Sequence, residues 1–334
     1  MKEIRARVIS QEKGMYKVSD GTRVKNAAVS GKFMYTAATV SDYPAVGDYV
    51  IAQWPDDDSN AVIHSVFPRK SCFIRKAAGS ERVEQVVAAD IDTVFLCMSL
   101  NNDFNLRRIE RYLAVAYDSG AVPVIVLTKA DLCDDIDGRL ADIRSVAFGT
   151  EVVTVSARDD EYGALLKYIE PGKTVAFLGS SGVGKSTLIN KLVGSDCLAT
   201  GGLRNDDKGR HTTTHRELIT LENGAFLIDT PGMRELGMWD NDGGIDAVFG
   251  DIEELIGRCR FSDCTHTNEP GCAVREALSR GALDNARWEA FLKLKSENAY
   301  AADAGGYLEA KRARFKEISK LNKAKRKNNR PEND

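Results

Sequence analysis

One stretch of the chain has the residue types and spacing of a loop that binds phosphate groups. Residues 179–186 read GSSGVGKS and match the pattern G-x-x-x-x-G-K-[ST] without departure. The glycines let backbone N–H groups turn toward phosphate oxygens, and the helix expected next adds the positive end of its dipole. Lys185 is expected to reach the β- and γ-phosphates, and Ser186 to bind Mg²⁺. The predicted phosphate loop comprises Gly179, Ser180, Ser181, Gly182, Val183, Gly184, Lys185, Ser186 and Thr187.

A later segment supplies the groups that usually complete such a site. Residues 225–232 read AFLIDTPG, an apolar strand followed by a turn. Asp229 ends the strand, where its carboxylate can hold Mg²⁺ through water, and Gly232 offers a backbone N–H to the γ-phosphate. We therefore predict that this segment is the switch of a nucleotide-hydrolysing enzyme.

A third segment has the pattern of a guanine reader. Residues 128–131 read TKAD and resemble the Asn-Lys-x-Asp motif of GTPases. The Asp131 carboxylate would accept two N–H bonds from guanine, a pair of donors that adenine lacks. Thr128 replaces the usual Asn and makes fewer hydrogen bonds, so we expect modest nucleotide affinity. Residues 156–157, at the end of the run EVVTVS, resemble the last GTPase motif. The predicted guanine site comprises Thr128, Lys129, Ala130, Asp131, Ser156 and Ala157.

The guanine reader precedes the phosphate loop in this chain, which is the reverse of the order in an ordinary GTPase. A site made from strand ends survives such a circular permutation, because it does not depend on the order of the strands in the chain. The permutation changes which segment comes after the switch, since the chain here leaves the GTPase domain just after residues 229–235. The C-terminal part is therefore tied to the segment that senses the nucleotide.

Three cysteines and one histidine lie close together near the C-terminus, with the spacing Cys259-x4-Cys264-x-His266-x5-Cys272. Four such ligands suit a closed, tetrahedral, structural Zn²⁺ site, which leaves no open position for catalysis. The segment is too short to build a core of its own, and this favours a metal over chance clustering of cysteines on a helical segment. The other four cysteines are scattered, as is typical of reduced thiols in a cytosolic protein.

The segment 199–216 is polar and glycine-rich, and it carries the candidate catalytic groups. One threonine of 212–214 is expected to bind Mg²⁺ when GTP is present, and Thr213 is favoured. Many GTPases carry a water-positioning Gln directly after Asp-Thr-Pro-Gly, but Met233 occupies that place here. His211 is the best local replacement, with contact to phosphate or RNA as its alternative role. Intrinsic hydrolysis is expected to be slow.

The pattern of elements around these motifs predicts several domains. Short strands separated by turns, with FMYTA at 33–37 among them, indicate a small β-barrel. An oligonucleotide-binding (OB) fold and an SH3-like barrel are both compatible with it. From about residue 90, apolar strands alternate with helices, which is typical of a doubly wound parallel sheet. We predict a multidomain chain with an N-terminal β-barrel (OB-fold) at 1–70, a central α/β circularly permuted P-loop GTPase domain at 71–240, and a mainly helical zinc-binding domain with a basic tail at 241–334.

The composition is that of a globular protein, with 43% hydrophobic and 28% charged residues among 334. The net charge of −3 gives no global argument for nucleic acid. The charge is unevenly distributed, because residues 311–330 hold ten Lys or Arg and one Glu. No apolar stretch reaches the roughly 18 residues of a membrane span, and the N-terminus lacks a signal-peptide core. We expect a cytoplasmic protein that has no membrane partner and is a monomer.

Taken together, these motifs resemble those of the ribosome small-subunit-dependent GTPases, the RsgA or YjeQ family. The resemblance covers nearly the whole chain, including the barrel, the permuted motifs, the stretch GRHTTT at 209–214 and the cysteine cluster. It implies an OB-fold at the N-terminus, a zinc domain and a role in late maturation of the small ribosomal subunit. It also supports His211 as the catalytic group.

The expected function is that of a GTPase checkpoint, which binds the small ribosomal subunit and its rRNA, hydrolyses GTP to GDP with Mg²⁺, and then leaves. One alternative is an RNA-binding module that is switched by guanine nucleotide and hydrolyses it only incidentally. A GTPase for the large subunit is a second alternative, although the barrel and the zinc cluster argue against it. A small-molecule kinase is disfavoured, because it would not explain the guanine reader.

Overall fold

The structure, a computed structural model, describes residues 2–12, 14–76, 84–194, 216–229 and 243–302. Its N-terminal part is a closed barrel of five strands in the order β1-β2-β3-β5-β4, in which β4 pairs back onto β1. All neighbouring pairs are antiparallel except β3 with β5. This confirms the predicted N-terminal barrel, and five strands are the number found in an OB-fold. The strands are β1 (Lys2–Glu12), β2 (Met15–Ser19), β3 (Val24–Val29), β4 (Tyr49–Trp54) and β5 (Ala61–Val66).

One element of the barrel was predicted wrongly. The segment FMYTA was expected to be a strand, but it belongs to helix α1 (Gly31–Thr36). Ser30 caps this helix, because its hydroxyl accepts a hydrogen bond from the Phe33 N–H at 3.1 Å. Phe33 is the one buried residue of the helix, and the alternating burial that a strand would show is absent from it. The third strand of the barrel is instead β3, which was not predicted and which pairs with β2 and β5.

The central part is a mostly parallel sheet with helices on both faces, as the sequence pattern predicted. Its strands follow the order β10-β9-β8-β11-β13-β12, and β12 alone in this order runs antiparallel to its neighbour. Between β10 and β11, where the alternation of strands and helices predicts a helix near 161–169, the chain forms a 3-10 segment, Gly163–Tyr168. The elements of this part are β6 (Cys72–Lys76), β7 (Glu84–Ala89), β8 (Thr93–Ser99), α2 (Leu106–Ser119), β9 (Val122–Thr128), α3 (Ile136–Arg144), β10 (Glu151–Thr154), β11 (Thr174–Gly179), α4 (Lys185–Val193), β12 (Arg216–Thr220) and β13 (Phe226–Asp229).

The barrel and the central sheet are joined through backbone contacts. Strand β1 pairs with β4 over residues 2–7 and then with β12 at residues 10 and 11, so that one sheet of 11 strands runs through both parts. The barrel loop at Gly47 also packs tightly on the end of β7. Gly47 has φ +100°, and a Cβ there would lie 2.1 Å from the carbonyl oxygen of Ala89. A larger residue at this position would separate the two parts.

The C-terminal part is helical, as predicted, and packs on the α2 face of the sheet. Apolar residues of its helices, such as Phe249 and Phe291, share one continuous core with Leu113 of α2. The helices are α5 (Gly243–Val248), α6 (Gly250–Gly257), α7 (Ala273–Ser279) and α8 (Asn285–Ala302). No helix in the described part of the chain is long and apolar enough to cross a membrane.

A buried ion-pair cluster fixes the C-terminal helices to α2. Arg287 of α8 is 5% exposed, and its Nη1 donates to Oε1 of the fully buried Glu110 at 2.6 Å. The same guanidinium makes two bonds to the Asp251 carboxylate, at 2.9 and 2.7 Å. Burial lowers the pKa of Arg287, but the two carboxylates outweigh this effect and raise it. The carboxylates of Glu110 and Asp251 therefore compensate the buried positive charge of Arg287.

Candidate nucleotide site and metal centre

The predicted nucleotide motifs meet at one edge of the sheet. The strands β8, β9, β10, β11 and β13 are parallel, so their carboxyl ends lie side by side. The phosphate loop follows β11, the guanine reader follows β9, and Ser156 comes shortly after β10. Asp229 ends β13, the neighbour of β11. This is the edge at which open α/β sheets bind ligands.

The phosphate loop is closely packed against the neighbouring strand β8. A Cβ at Gly179 would lie 2.6 Å from the carbonyl oxygen of Cys97, so only glycine fits at the start of the loop. Lys185 opens α4 and is 6% exposed, and its ammonium donates to the carbonyl oxygens of Gly179 and Ser180 at 2.6 Å each. These carbonyls hold the ammonium at the mouth of the loop. A bound nucleotide would offer it phosphate oxygens instead.

The remaining residues of the loop differ in their burial. Ser186 is half-buried in the first turn of α4, while Val183 is buried and anchors the loop in the core below. Ser181, Gly182 and Thr187 are exposed. The start of a helix is a position at which proteins commonly bind phosphate.

Helix α2 holds the phosphate loop from the side, through residues that the sequence motifs did not identify. The hydroxyl of Ser180 donates to Oδ2 of Asp103 at 3.0 Å, and Arg108 Nη1 lies 2.7 Å from the same oxygen. Arg108 also contacts the Ser180 hydroxyl, at 3.2 Å. The pKa of Asp103 is lowered, chiefly by its bond from Arg108. The one signal in the sequence is the polar run NND at 101–103, one residue beyond the buried strand β8.

Thr128 links the guanine reader to the phosphate loop. It is 2% exposed, and its hydroxyl donates to the carbonyl oxygen of Val183 at 2.6 Å. The following residue, Lys129, has φ +57°, and this turn starts the 3-10 segment Ala130–Leu132 that contains Asp131. A threonine can thus tie the two loops together although it offers fewer hydrogen bonds than asparagine. The expected modest affinity stays a prediction.

The Asp131 carboxylate lies beside Ser156. Its Oδ1 is 3.1 Å from the Ser156 hydroxyl, which is also 2.7 Å from Oδ2 of Asp159. The side chain of Asp131 is 15% exposed, and Arg158 lies 3.9 Å from its second oxygen. Ala157 is half-buried next to Ser156. The geometry brings this carboxylate to the same sheet edge as the phosphate loop.

Several predicted residues lie outside the described part of the chain. These are His211, Thr213, Gly232 and Met233, together with the basic tail at 311–330. For Asp229 the structure gives the backbone position at the end of β13. The catalytic and switch assignments therefore remain predictions.

The four predicted metal ligands form one cluster. The ligand atoms of Cys259, Cys264, His266 and Cys272 all lie within 4.8 Å of one another. The Cys259 and Cys272 sulfurs are 3.9 Å apart, and each is 3.6 Å from Nδ1 of His266. Thiolates on a tetrahedral Zn²⁺, each about 2.3 Å from the metal, would be separated by about 3.8 Å. The donor set and the spacing fit a four-coordinate Zn²⁺.

The cluster is held against α8 by aromatic packing. The His266 ring meets the Trp288 ring edge-on, with 5.6 Å between ring centroids. Trp288 stacks in turn on Phe291 and directly follows Arg287, which binds the buried carboxylate of Glu110. A metal at the cluster would therefore stiffen the helix that is fixed to α2.

The comparisons with known proteins agree with this geometry. The sequence model of the family described as RsgA GTPase matches residues 66–239. The protein named small ribosomal subunit biogenesis GTPase RsgA 2 of Lactiplantibacillus plantarum is 48% identical over 300 residues, which is 89% of this chain and 84% of the relative. Its counterpart RsgA from Opitutus terrae is 50% identical over 287 residues, 83% of this chain and 78% of the relative.

Solved structures show the same architecture. YjeQ from Thermotoga maritima is 27% identical with a TM-score of 0.63, covering 88% of this chain and 97% of that one. YloQ, described as a circularly permuted GTPase, is 26% identical with a TM-score of 0.60, covering 89% and 95%. With a matching family model, close relatives along most of its length and the motifs at one sheet edge, the chain belongs to the RsgA GTPase family and is a GTP-hydrolysing enzyme with a circularly permuted GTPase domain.

Proposed function

We propose that the chain is a checkpoint enzyme in late maturation of the small ribosomal subunit, and that the subunit stimulates its GTP hydrolysis. The observation that carries this proposal is the meeting of Asp131 and the phosphate loop at one sheet edge, in a chain whose relatives are named small ribosomal subunit biogenesis GTPases. Work on the subunit would take place in the cytoplasm. We propose that the chain acts as a monomer.

The nucleotide would lie across the carboxyl ends of β9 and β11. Asp131 would bind the guanine N–H groups, with Lys129 along the base and the backbone near Ala157 toward the guanine oxygen. Lys185 would exchange its two loop carbonyls for the β- and γ-phosphates. The bond from Thr128 to the Val183 carbonyl supports this arrangement, because it fixes the distance between base reader and phosphate loop.

Mg²⁺ and the attacking water complete the proposed reaction. Ser186, Thr213 and Asp229 would hold Mg²⁺ between the phosphates, and Gly232 would bind the γ-phosphate. Because Met233 cannot orient a water, we assign that role to His211. The metal would neutralise charge on the phosphates, while the chain's own part is to place the water in line.

The cysteine cluster would hold a structural Zn²⁺. Four protein ligands leave no open coordination position, so the metal would stabilise the C-terminal helices and take no part in hydrolysis. Barrel, zinc cluster and basic tail would together contact rRNA. Contacts to its phosphates are expected to weaken as salt rises. Binding releases counterions from the RNA, and this release favours binding less when the surrounding salt concentration is high.

The experiment that tests the function is GTP turnover with and without purified small subunits. The free protein should be slow, because ordering the segment that carries His211 costs about 1–2 kcal/mol per residue. Small subunits should raise the rate strongly, and rising salt should reduce that stimulation. His211→Ala should lose most of the stimulated rate and keep its GTP affinity.

Three results would contradict the proposal. Equal stimulation by large subunits would favour a GTPase for the large subunit. A rate that small subunits do not change would favour an RNA-binding module that is switched by guanine nucleotide. If His211→Ala keeps the full stimulated rate, the catalytic group lies elsewhere.

Asp131→Asn serves as the control for nucleotide reading, since its amide places a donor against a guanine donor and should weaken GTP binding.

Metal analysis tests the proposed zinc centre. We expect about one zinc per chain, lost in Cys264→Ser together with C-terminal stability while guanine-nucleotide binding is largely kept. Cys133→Ser is a matched control, since this half-buried thiol lies outside the cluster. A fully folded wild-type protein without metal would refute the assignment.

A further inference from the structure

A cavity lies at the opposite edge of the sheet from the nucleotide site, between the barrel and the central sheet. Its volume of about 370 Å³ is within the range of small-molecule sites. The residues at its walls come from the starts of parallel strands, such as Asp92, Val122 and Thr174, and from barrel residues Arg7 and Tyr49. The cavity belongs to none of the motifs that bind nucleotide or metal.

The guanidinium of Arg7 reaches from β1 across this junction. Arg7 is 5% exposed, and its Nε donates to the Gly47 carbonyl at 3.1 Å. Its Nη2 contacts the Thr174 hydroxyl at 2.6 Å and the Asp90 carbonyl at 3.4 Å. All of these acceptors are neutral. The aromatic ring of Phe226, with its centroid 4.4 Å away, covers one side.

The positive charge of Arg7 has no ion-pair partner among the described residues. Its Nη1 is buried and, within that part of the chain, has no hydrogen-bond partner. Burial lowers the pKa of Arg7, and Asp90 and Asp92 act against this from a distance. A buried cation without a paired anion is costly, and so is a buried donor without an acceptor. An anion in the adjoining cavity would relieve both costs.

Apart from Arg7, the charged groups at the cavity balance one another. Lys70 and Lys173 also line it, which gives three cations with Arg7 against two carboxylates, Asp90 and Asp92. Both carboxylates already accept backbone N–H groups, from Lys70 at 2.8 Å and from Thr174 at 2.9 Å. Lys173 lies 3.4 Å from Asp92. The lining residues thus carry one more positive than negative charge, and the unmatched charge is that of Arg7.

From this arrangement we propose that the cavity binds a small oxyanion, a phosphate or carboxylate group, on the guanidinium of Arg7. Nη1 is covered by neighbouring protein atoms, so an anion would bond to it only after the guanidinium turns toward the cavity. A free anion fits better than the backbone of a nucleic acid, because a polymer could not approach a side chain that is 5% exposed. The site is independent of the proposed ribosomal function.

Calorimetric titration of the full chain, saturated with GDP and Mg²⁺ to occupy the phosphate loop, tests the proposal. Inorganic phosphate and succinate are the two probes, and the one that binds identifies the group. Arg7→Met should weaken binding at least about tenfold, because a charge-assisted pair of hydrogen bonds is lost. Arg5→Met is the matched control, since Arg5 lies on the same strand over the same Tyr49 ring but is exposed, and it should bind as the wild type does.

Two outcomes of the titration would overturn the proposal. One is the absence of binding by either probe up to about 10 mM. The other is an Arg7→Met protein that binds as tightly as the wild type. Because Arg7→Met could disturb folding, a second measurement uses the wild-type protein itself. Crystals of the GDP complex soaked in selenate should show anomalous density within hydrogen-bond distance of Arg7, and density confined to the nucleotide site would refute the assignment.

Discussion

Two arginines, one where the barrel meets the central sheet and one where the C-terminal helices meet α2, are equally buried. They differ in the groups that compensate their positive charge. Arg287 at the C-terminal junction and Arg7 at the barrel junction are both 5% exposed. Arg287 meets the carboxylates of Glu110 and Asp251, whereas Arg7 meets two carbonyls and a hydroxyl. The pKa of the first is raised by its partners and that of the second is lowered by burial.

The difference shows that burial alone does not tell what a charge is for. A buried cation with two anionic partners is part of the fold, since removing it takes away a counter-charge that those anions need. A buried cation with neutral partners leaves little behind when it is removed. The first arrangement fixes the C-terminal helices to α2, and the second leaves a charge for a ligand.

The largest expected effect is that of Arg287→Met. It leaves Glu110 fully buried with Arg107 as its one remaining cation among the described residues. We expect a loss of about 3–5 kcal/mol in the free energy of unfolding, measured by urea denaturation. Arg280→Met is the control, because Arg280 belongs to an exposed pair with Glu276 and should cost about 0.5 kcal/mol. A loss for Arg287→Met as small as that of the control would remove the contrast between the junctions.

Arg7→Met should cost less, about 1–2 kcal/mol in the same measurement. The change removes hydrogen bonds to neutral acceptors, and the methionine can fill the slot beside Tyr49 and Phe226. No carboxylate within ion-pair distance is left behind in the described structure. If the loss equals that of Arg287→Met, then Arg7 is a structural residue of the barrel junction, and the two arginines do not differ in role.

The smallest effect is expected for Arg111→Met. Arg111 of α2 pairs with Glu297 of α8, so it joins the same two helices as the Glu110 cluster, but its side chain is 31% exposed and that of Glu297 is 35% exposed. Water screens such a pair, and we expect a loss below about 1 kcal/mol in urea denaturation. A loss comparable to that of Arg287→Met would show that the number of ion pairs, and not their burial, secures this junction.

The parts of the protein that could be predicted from the sequence are those encoded in short segments. The phosphate loop, the guanine reader and the Cys-His cluster each lie within a few residues, and alternating apolar strands and helices indicated the central sheet. The meeting of the phosphate loop and the guanine reader at one sheet edge could be expected because parallel strands end together.

The features that could not be predicted depend on distant pairs or on short ambiguous windows. Arg287 contacts Glu110 across 177 positions and Arg7 contacts Thr174 across 167, and neither pair has a local pattern. The hydrogen bond between Ser180 and Asp103 joins residues that are 77 positions apart in the chain. The segment at 33–37 was mistaken for a strand because five residues with two aromatics fit either period, and the cap at Ser30 decided the outcome.

The pairing of β1 with β12 makes the barrel a cover for an edge of the GTPase sheet. Residues 216 and 217 of β12 bond to β1, and β12 begins directly after the segment that contains His211. If the first 70 residues were cut away, β12 would become an edge strand with free N–H and C=O groups, which readily pair with other chains. An enzyme isolated without its barrel would therefore self-associate through β12. In the intact chain, pairing with β1 prevents this.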